Sequence, residues 1–228
     1  YGMAVAMSEA FKGLKLETKQ KTRYLMDGEE AMLLRELDPH RVVKGLKSPE
    51  LRDGVMAQKL QDQYDMVVFL TDTGARFMEV AEVPWTAIDT INWKTINLYR
   101  EKVGNEGTLA ITDRLRPILQ ARYARFGNYP YVFPSPTDMT SSRGYSTSGI
   151  KKAIDRAGLN SPAMVKRYGK FTAHSLRHTF ASRLVQGGLS LYAVSKLLGH
   201  SSETMTKRYA FLSAAQVAQE AADILNAR

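Results

Sequence analysis

A strand pattern in the middle of an otherwise helical chain limits the possible folds most. Residues 95–100, TINLYR, alternate in polarity and are rich in strand formers, residues 103–107 read as a turn, and residues 108–112, TLAIT, can return as the partner strand. A further short strand is predicted at residues 131–133, YVF. Many helices around one small antiparallel sheet predict an α+β fold that is mostly helical.

Helical patterns fill most of the rest of the chain. The predicted helices combine helical spacing of apolar residues with a capping or stop residue, such as Asp27 at the first start and Gly74 at the second end. A polar stretch separates these two helices. The predicted helices cover residues 27–37, 55–74, 113–127 and 147–159, followed by short pieces capped by Thr172 and Ser190.

The charge balance indicates a polyanionic partner. The 228 residues include 32 Lys and Arg against 23 Asp and Glu, a net charge of +9. Nucleic acid is the usual partner of such a chain, and a basic protein without a polyanionic partner is the alternative. Cysteine is absent, which excludes disulfide and thiolate chemistry and fits a reducing interior such as a bacterial cytoplasm. The longest apolar run, residues 66–70, is too short to cross a membrane.

The start of the chain, residues 1–23, is predicted to be a basic linker. Residues 11–23 hold five cations against one acid and show no clear apolar stripe. Such a segment can lie along DNA phosphates, and a solvated tail is the alternative. The chain begins at Tyr1 rather than at a methionine, so we expect it to be a fragment. The predicted DNA contacts are Lys12, Lys15, Lys19, Lys21 and Arg23.

Three of the four histidines lie close together in the last third of the chain. With Thr172 as a helix cap, His174 and Arg177 share one face near a helix N-terminus, where anions are favoured. A zinc site is the alternative, because His174 and His178 are four residues apart. The metalloprotease pattern needs glutamate after the first histidine, and Ser175 stands there, so the spacing argues against metal.

Tyr209 is the candidate nucleophile. It follows Lys207 and Arg208 in a polar segment that begins just after His200, so we predict an exposed phenol; a buried core tyrosine is the alternative. A free phenol has a pKa of about 10 and is a poor nucleophile at neutral pH. Neighbouring cations would stabilise the phenolate, and a base could take its proton.

Together these motifs resemble the catalytic domain of tyrosine recombinases, the phage integrase family. The resemblance lies in TGARFMEV, in the hairpin KVGNEGTLAIT, in HSLRH, and in LLGH followed nine residues later by tyrosine. The hairpin lacks the threonine after lysine and the proline that the family commonly has, and residues 38–62 are longer and more polar than its pattern. The matching positions are Arg76, Glu79, Lys102, His174, Arg177, His178, His200 and Tyr209.

The resemblance implies a division of labour in DNA cleavage. Tyr209 would attack the scissile phosphate and form a 3′-phosphotyrosyl link, while His174 manages its proton. Lys102 would protonate the departing 5′ oxygen. The phosphate oxygens would be held by Arg76, Arg177 and His200, with Glu79 and His178 orienting this group. The bond energy stays in the protein–DNA link and cations replace metal charge, so no cofactor, ATP or metal is expected.

The resemblance also implies an organisation and a setting. Residues 24–212 would form the catalytic domain, and residues 213–228 a helical tail that docks on its own domain or on a neighbouring subunit. The expected partners are double-stranded DNA at specific sites, three further copies of the chain in a tetramer, and DNA-bending accessory proteins, with no membrane. The expected location is the cytoplasm of a bacterial host, at the nucleoid. A type IB topoisomerase-like enzyme and a non-catalytic DNA-binding regulator are the alternatives.

Overall fold

The computed structural model describes residues 22–100, 105–200, 202 and 204–213, together with residues 218, 222, 225 and 226. Helices dominate this part of the chain, as the sequence predicts. The α-helices are α1 (Glu29–Leu37), α2 (Gly54–Thr73), α3 (Phe77–Ala81), α4 (Leu115–Phe126), α5 (Ser148–Arg156), α6 (Pro162–Tyr168), α7 (Ala173–Gln186), α8 (Leu191–Leu198) and α9 (Thr204–Lys207). Short 3-10 turns lie at Pro49–Leu51, Trp85–Ala87 and Ala210–Leu212.

Two small antiparallel sheets accompany the helices, so the α+β prediction is confirmed. Strands β1 (Thr95–Arg100) and β2 (Asn105–Ala110) form a hairpin as predicted, in a register that pairs Thr95 with Ala110. Strand β2 begins at Asn105, inside the stretch 103–107 predicted as a turn, and ends at Ala110 rather than at residue 112. Strands β3 (Pro134–Ser135) and β4 (Asp138–Ser142) form a second hairpin, which the sequence pattern does not predict.

The prediction of a strand at residues 131–133 is wrong. Val132 and Phe133 are fully buried, and the Val132 backbone donates to the carbonyl oxygen of Val83 at 3.0 Å. Their apolar character therefore serves to anchor this segment in the core, and the strand that pairs with β4 begins only at Pro134.

Helix α2 is the central support of the fold. The Asp53 carboxylate caps it by accepting from the Met56 backbone at 2.7 Å, and Gly74 ends it in the left-handed conformation, φ 62°. Residues 66–70, its apolar run, are buried in the core. Phe180 of α7 packs so closely on Gly74 that an added Cβ would lie 2.3 Å from its ring.

Arg23 belongs to the folded body. Its side chain is buried, pairs with both carboxylate oxygens of Glu29 at 2.6 and 2.8 Å, and lies over the Phe171 ring at 5.4 Å. The Leu25 backbone next to it donates to Thr179 Oγ1 of α7 at 3.0 Å. The prediction that Arg23 contacts DNA is therefore wrong, because the guanidinium is buried against Glu29 of α1 and the Phe171 ring just before α7. Helix α1 begins at Glu29 and its N-cap is Gly28. Asp27 is therefore not the cap that the sequence predicts.

A buried ionic cluster joins α2, α4 and the segment after β4. Arg122 donates to Asp62 at 2.8 Å and to Asp65 at 2.7 Å, and Arg143 lies 3.6 Å from Asp62. Burial raises the pKa of Asp65, although the Arg122 charge opposes that rise. The cluster fixes the scaffold behind the site.

Across the residues that the structure describes, none of the helices is both long and apolar enough to span a membrane.

Candidate active site

A cleft of about 1130 Å³ is lined by four of the predicted residues, Arg76, Glu79, His174 and Arg177. Arg76 enters it from the turn between α2 and α3, and His174 and Arg177 enter it from the first turns of α7. The cleft is also lined by Asn97 and Leu98 of β1 and by the exposed Tyr145, whose ring packs against Phe77 with the ring centroids 5.2 Å apart. Sequence-distant cations therefore share one concave surface, which can hold a phosphate.

Arg76 is held in place by Glu79. One carboxylate oxygen of Glu79 accepts from the Arg76 backbone at 2.8 Å, and the other accepts from its guanidinium at 2.6 Å. The Arg76 side chain stays about one-third exposed, at 35%. Glu79 thus fixes both ends of the residue, as expected for an orienting role, while leaving part of the guanidinium open to the cleft.

Arg177 ties the segments of the site together. It is buried, its guanidinium donates to the Gly74 carbonyl oxygen at 2.7 Å, and it also donates to the carbonyl oxygen of Leu198. Gly74 lies two residues before Arg76, and Leu198 lies two residues before His200. One side chain therefore sets the separation of three motif segments that are far apart in sequence.

His174 is the exposed histidine of the site. Loss of water around its ring lowers its pKa, and the charges of Arg177, Arg208 and Arg76 lower it further. Its ring meets that of His178 edge to face, with centroids 4.8 Å apart. A lowered pKa keeps His174 neutral at physiological pH, so that it can accept a proton.

His178 binds the phenol of Tyr209. The phenolic oxygen lies 2.6 Å from His178 Nδ1. Burial lowers the pKa of His178 to about 3, with neighbouring His174 and Arg208 adding to the effect, and burial raises the pKa of Tyr209 to about 12. The phenol therefore stays protonated and donates a hydrogen bond to the neutral imidazole of His178.

The predicted exposure of Tyr209 is wrong. Its side chain is 1% exposed and packs in a small apolar cluster with residues of α7 and α8. The polar neighbours in sequence point outward, whereas the ring turns inward against Ala181, Val185, Val194 and Leu198. Tyr209 does not line the cleft in this arrangement.

His200 connects α8 to the segment that carries Tyr209. It follows Gly199, which ends α8 at φ 59°, and its Nδ1 lies 2.8 Å from the buried hydroxyl of Thr206. The Tyr209 backbone in turn donates to the Thr206 carbonyl oxygen at 3.0 Å. His200 therefore contacts the segment that carries Tyr209 through the Thr206 hydroxyl.

The other predicted contacts lie outside the described residues. Lys102 is one of them, and so are Lys12, Lys15, Lys19 and Lys21. Two residues near the site were not assigned from sequence, Thr206 and Arg208. A threonine in a short polar helix gives no sign of burial, whereas the position of Arg208 directly before Tyr209 could have indicated it.

The histidine pair shows no metal-binding arrangement. The rings of His174 and His178 meet edge to face, and the Nδ1 of His178 is hydrogen-bonded to the Tyr209 hydroxyl. Among the residues with described positions, no group of three or more His, Asp or Glu side chains is placed to hold a metal ion.

Comparison with known proteins adds a family. Residues 49–216 match the model of the phage integrase family. The chain is 27% identical over 164 residues to the integrase of Salmonella phage P22, covering 70% of this chain and 41% of that protein. It is 29% identical over 203 residues to tyrosine recombinase XerC of Roseiflexus sp., covering 82% and 58%. The chain thus spans less than two thirds of these relatives.

A solved structure shares the fold. The XerH site-specific recombinase bound to palindromic difH substrate, in a post-cleavage complex, superposes with a TM-score of 0.66 at 18% identity, over 93% of this chain and 56% of that one. At this identity the likeness concerns the fold alone. Because the family match extends over most of the chain, the chain belongs to the phage integrase family of tyrosine recombinases.

Proposed function

We propose that this chain is the catalytic part of a site-specific DNA recombinase, which cuts and rejoins strands through a 3′-phosphotyrosyl link to Tyr209. The observation that carries the proposal is the row His174–His178–Tyr209. It links the only cleft-lining histidine among the described residues to the phenol through a 4.8 Å ring contact and a 2.6 Å hydrogen bond. Any buried phenol needs a hydrogen-bond partner. Here that partner is an imidazole in ring contact with the histidine of the cleft, and this placement favours a chemical role.

The chemistry follows from the charges of the site. The phenol oxygen bonds to phosphorus as the bond between phosphorus and the 5′ oxygen breaks, and the strand is kept as a phosphodiester of Tyr209. Arg76 and Arg177 neutralise the phosphate oxygens, since forked guanidinium donors fit that geometry. His174, kept neutral by its lowered pKa, takes the phenol proton. Lys102 gives a proton to the 5′ oxygen.

Cleavage requires movement of the Tyr209 segment. The phenol is sealed from solvent, and the pKa of about 12 holds it protonated. In the cleft, beside two guanidinium groups, the phenolate form would be favoured instead. The described arrangement is therefore a resting one, and DNA binding supplies the free energy that brings the phenol to the phosphate.

The proposed partners extend the same chemistry. We infer double-stranded DNA at specific sites, held by the linker lysines at residues 12–21 and by the cleft. XerH is a recombinase seen bound to its difH substrate, which supports duplex DNA as the ligand here. Strand exchange between two duplexes needs four active sites, so we infer a tetramer on DNA, assisted by DNA-bending proteins at the bacterial nucleoid.

A nicked duplex library tests the function. Duplexes with randomised sequence and a nick near the centre lose the short cut strand, so the covalent complex accumulates and its DNA can be sequenced. We expect a protein–DNA adduct that resists denaturant, is enriched for one sequence, and is abolished by Tyr209→Phe. A DNA-binding regulator would give no adduct. A topoisomerase-like enzyme would give one without sequence enrichment and would not join two duplexes.

A further inference from the structure

Arg208 is a cation to which the proposed chemistry assigns no role. Its side chain is exposed, and no hydrogen bond or ion pair engages it within the described part of the chain. The two arginines assigned to the phosphate differ from it, because Arg76 pairs with Glu79 and Arg177 binds backbone carbonyl oxygens. An exposed guanidinium without an ion pair among the described residues, close enough to His174 and His178 for its charge to act on them, is available to a phosphate.

Arg208 is mechanically coupled to the nucleophile. It is joined to Tyr209 by a peptide bond, so their Cα atoms are about 3.8 Å apart. The two side chains point in opposite directions: Arg208 faces solvent and Tyr209 is buried. The Tyr209 backbone N–H donates to the Thr206 carbonyl oxygen, and the Leu212 N–H donates to the Tyr209 carbonyl oxygen, both at 3.0 Å. These hydrogen bonds make residues 206–212 one compact unit. A pull on the Arg208 side chain therefore acts on the Tyr209 ring.

The charge of Arg208 already reaches the site. It is among the groups that lower the pKa values of His174 and His178 and that oppose the rise in the pKa of Tyr209. Lys207, its neighbour on the same exposed turn, is not among them. The two cations are thus alike in exposure and charge but differ in their position relative to the cleft.

We propose that Arg208 is a positioning residue that binds a phosphate of the bound DNA strand and thereby draws the Tyr209 segment out of its buried position. The contact exchanges solvent around Arg208 for a forked, charge-assisted bond to phosphate. The free energy of this contact compensates for the hydrogen bond to His178 and for the apolar packing that Tyr209 loses when it leaves its buried position. The inference rests on the proposed function, since it needs DNA at the cleft.

The first test compares Arg208→Gln with Lys207→Gln, which removes the same charge from the adjacent position. The probe is the duplex recovered from the nicked library with the unaltered chain. We expect Arg208→Gln to slow single-turnover adduct formation at least about tenfold, with DNA affinity changed no more than in Lys207→Gln, whose rate stays within about twofold. Arg208→Lys should be intermediate, because an ammonium keeps the charge but not the fork.

The second test separates movement from simple charge stabilisation. Hydrogen exchange of the amides of residues 204–213 is measured with and without an un-nicked duplex, in a Tyr209→Phe background that cannot react. We expect DNA to speed this exchange in the background protein and in Lys207→Gln, and not in Arg208→Gln. Equal acceleration in both variants would overturn the inference.

The two proposals fail in distinguishable ways. If the unaltered chain forms no adduct with any duplex, the proposed function fails. If it forms adducts and Arg208→Gln behaves as Lys207→Gln in both rate and exchange, the recombinase function stands and the role of Arg208 is excluded. Thermal unfolding of both variants, expected to match the unaltered chain, excludes misfolding as the cause of a slow rate.

Discussion

At the scale of single residues, the proposed function asks two tasks of Tyr209 that one environment cannot combine. A stored nucleophile must stay protonated and unreactive, and His178 with the surrounding apolar side chains ensures this by raising the pKa of Tyr209 to about 12. A working nucleophile must lose its proton, and Arg76 and Arg177 at the cleft favour that state. The same phenol can serve both tasks only by moving between the two environments.

The burial of His178 predicts an acid dependence of stability. Its pKa falls from an ordinary value near 6.5 to about 3 in the folded chain, so the unfolded chain binds the proton more tightly. The contribution is complete above pH 6.5 and is lost as the pH falls toward 3. Between pH 7.5 and 5 we expect the free energy of unfolding of the unaltered chain to drop by about 1–2 kcal/mol more than that of His178→Gln.

Denaturant titrations at the two pH values measure this difference. Glutamine keeps an acceptor for the phenol but does not titrate, so the comparison isolates the imidazole. Parallel losses in the two proteins would show that His178 is not the group responsible.

Glu79 predicts a second effect at this scale. Glu79→Gln weakens the grip on the Arg76 guanidinium and should slow adduct formation about tenfold, because the phosphate-binding fork is no longer fixed. Glu82→Gln removes an equal charge from an exposed residue of the same cleft. Both should bind DNA slightly more tightly in filter-binding assays, whereas only Glu79→Gln should cleave slowly. A slow Glu82→Gln would point to general charge effects instead.

At the scale of elements, local signals set the boundaries and distant contacts set the rest. Helix α2 was predicted at 55–74 and runs over Gly54–Thr73, because Asp53 and Gly74 mark its ends within the sequence itself. The β1–β2 hairpin was equally readable from its alternation. Residues 131–133 were not, because they pair with the segment at Pro84 through a single bridge and are buried by remote parts of the core, which short-range patterns do not contain.

The site divides in the same way. The order and spacing of the motifs located Arg76, His174 and Arg177, and the structure places these three at one cleft. The inward turn of Tyr209 was missed, because the residues that bury it come from α7 and α8 rather than from its polar neighbours. Burial of a side chain by remote elements is the part that a single sequence conceals.

The buried ionic cluster predicts a large loss at this scale. Arg122→Met leaves Asp62 and Asp65 without their main cation, and we expect it to lower the free energy of unfolding by about 3–5 kcal/mol. Arg125→Met, three residues later on the same helix, serves as the control, and its cost should stay below about 1 kcal/mol. Urea unfolding followed by circular dichroism measures both. A small loss in Arg122→Met would mean that the carboxylates are neutral in the folded chain.

At the scale of the whole molecule, the distribution of exposed apolar side chains suggests how copies meet on DNA. Phe211, two residues after the nucleophile, is 63% exposed, and Leu225 in the tail is 65% exposed. Most of the tail lies outside the described residues, but its residues 218, 222, 225 and 226 are helical, in accord with the predicted tail helix. Exposed apolar groups just before the tail and within it are suited to contact with another subunit.

Substitution of these two positions tests docking between subunits. We expect Phe211→Ser together with Leu225→Ser to weaken assembly on DNA, so that light scattering of the DNA complexes shows fewer than four copies, while the unfolding of the DNA-free chain is unchanged. Ile91→Ser, at an 87% exposed residue elsewhere on the surface, is the matched control and should assemble normally. A tail that docks on its own domain predicts the opposite pattern, a loss of stability with normal assembly. Because the same segment carries Tyr209, docking in trans would also make each active site depend on its neighbour, and the assembly-deficient variant should form adducts slowly even at saturating DNA.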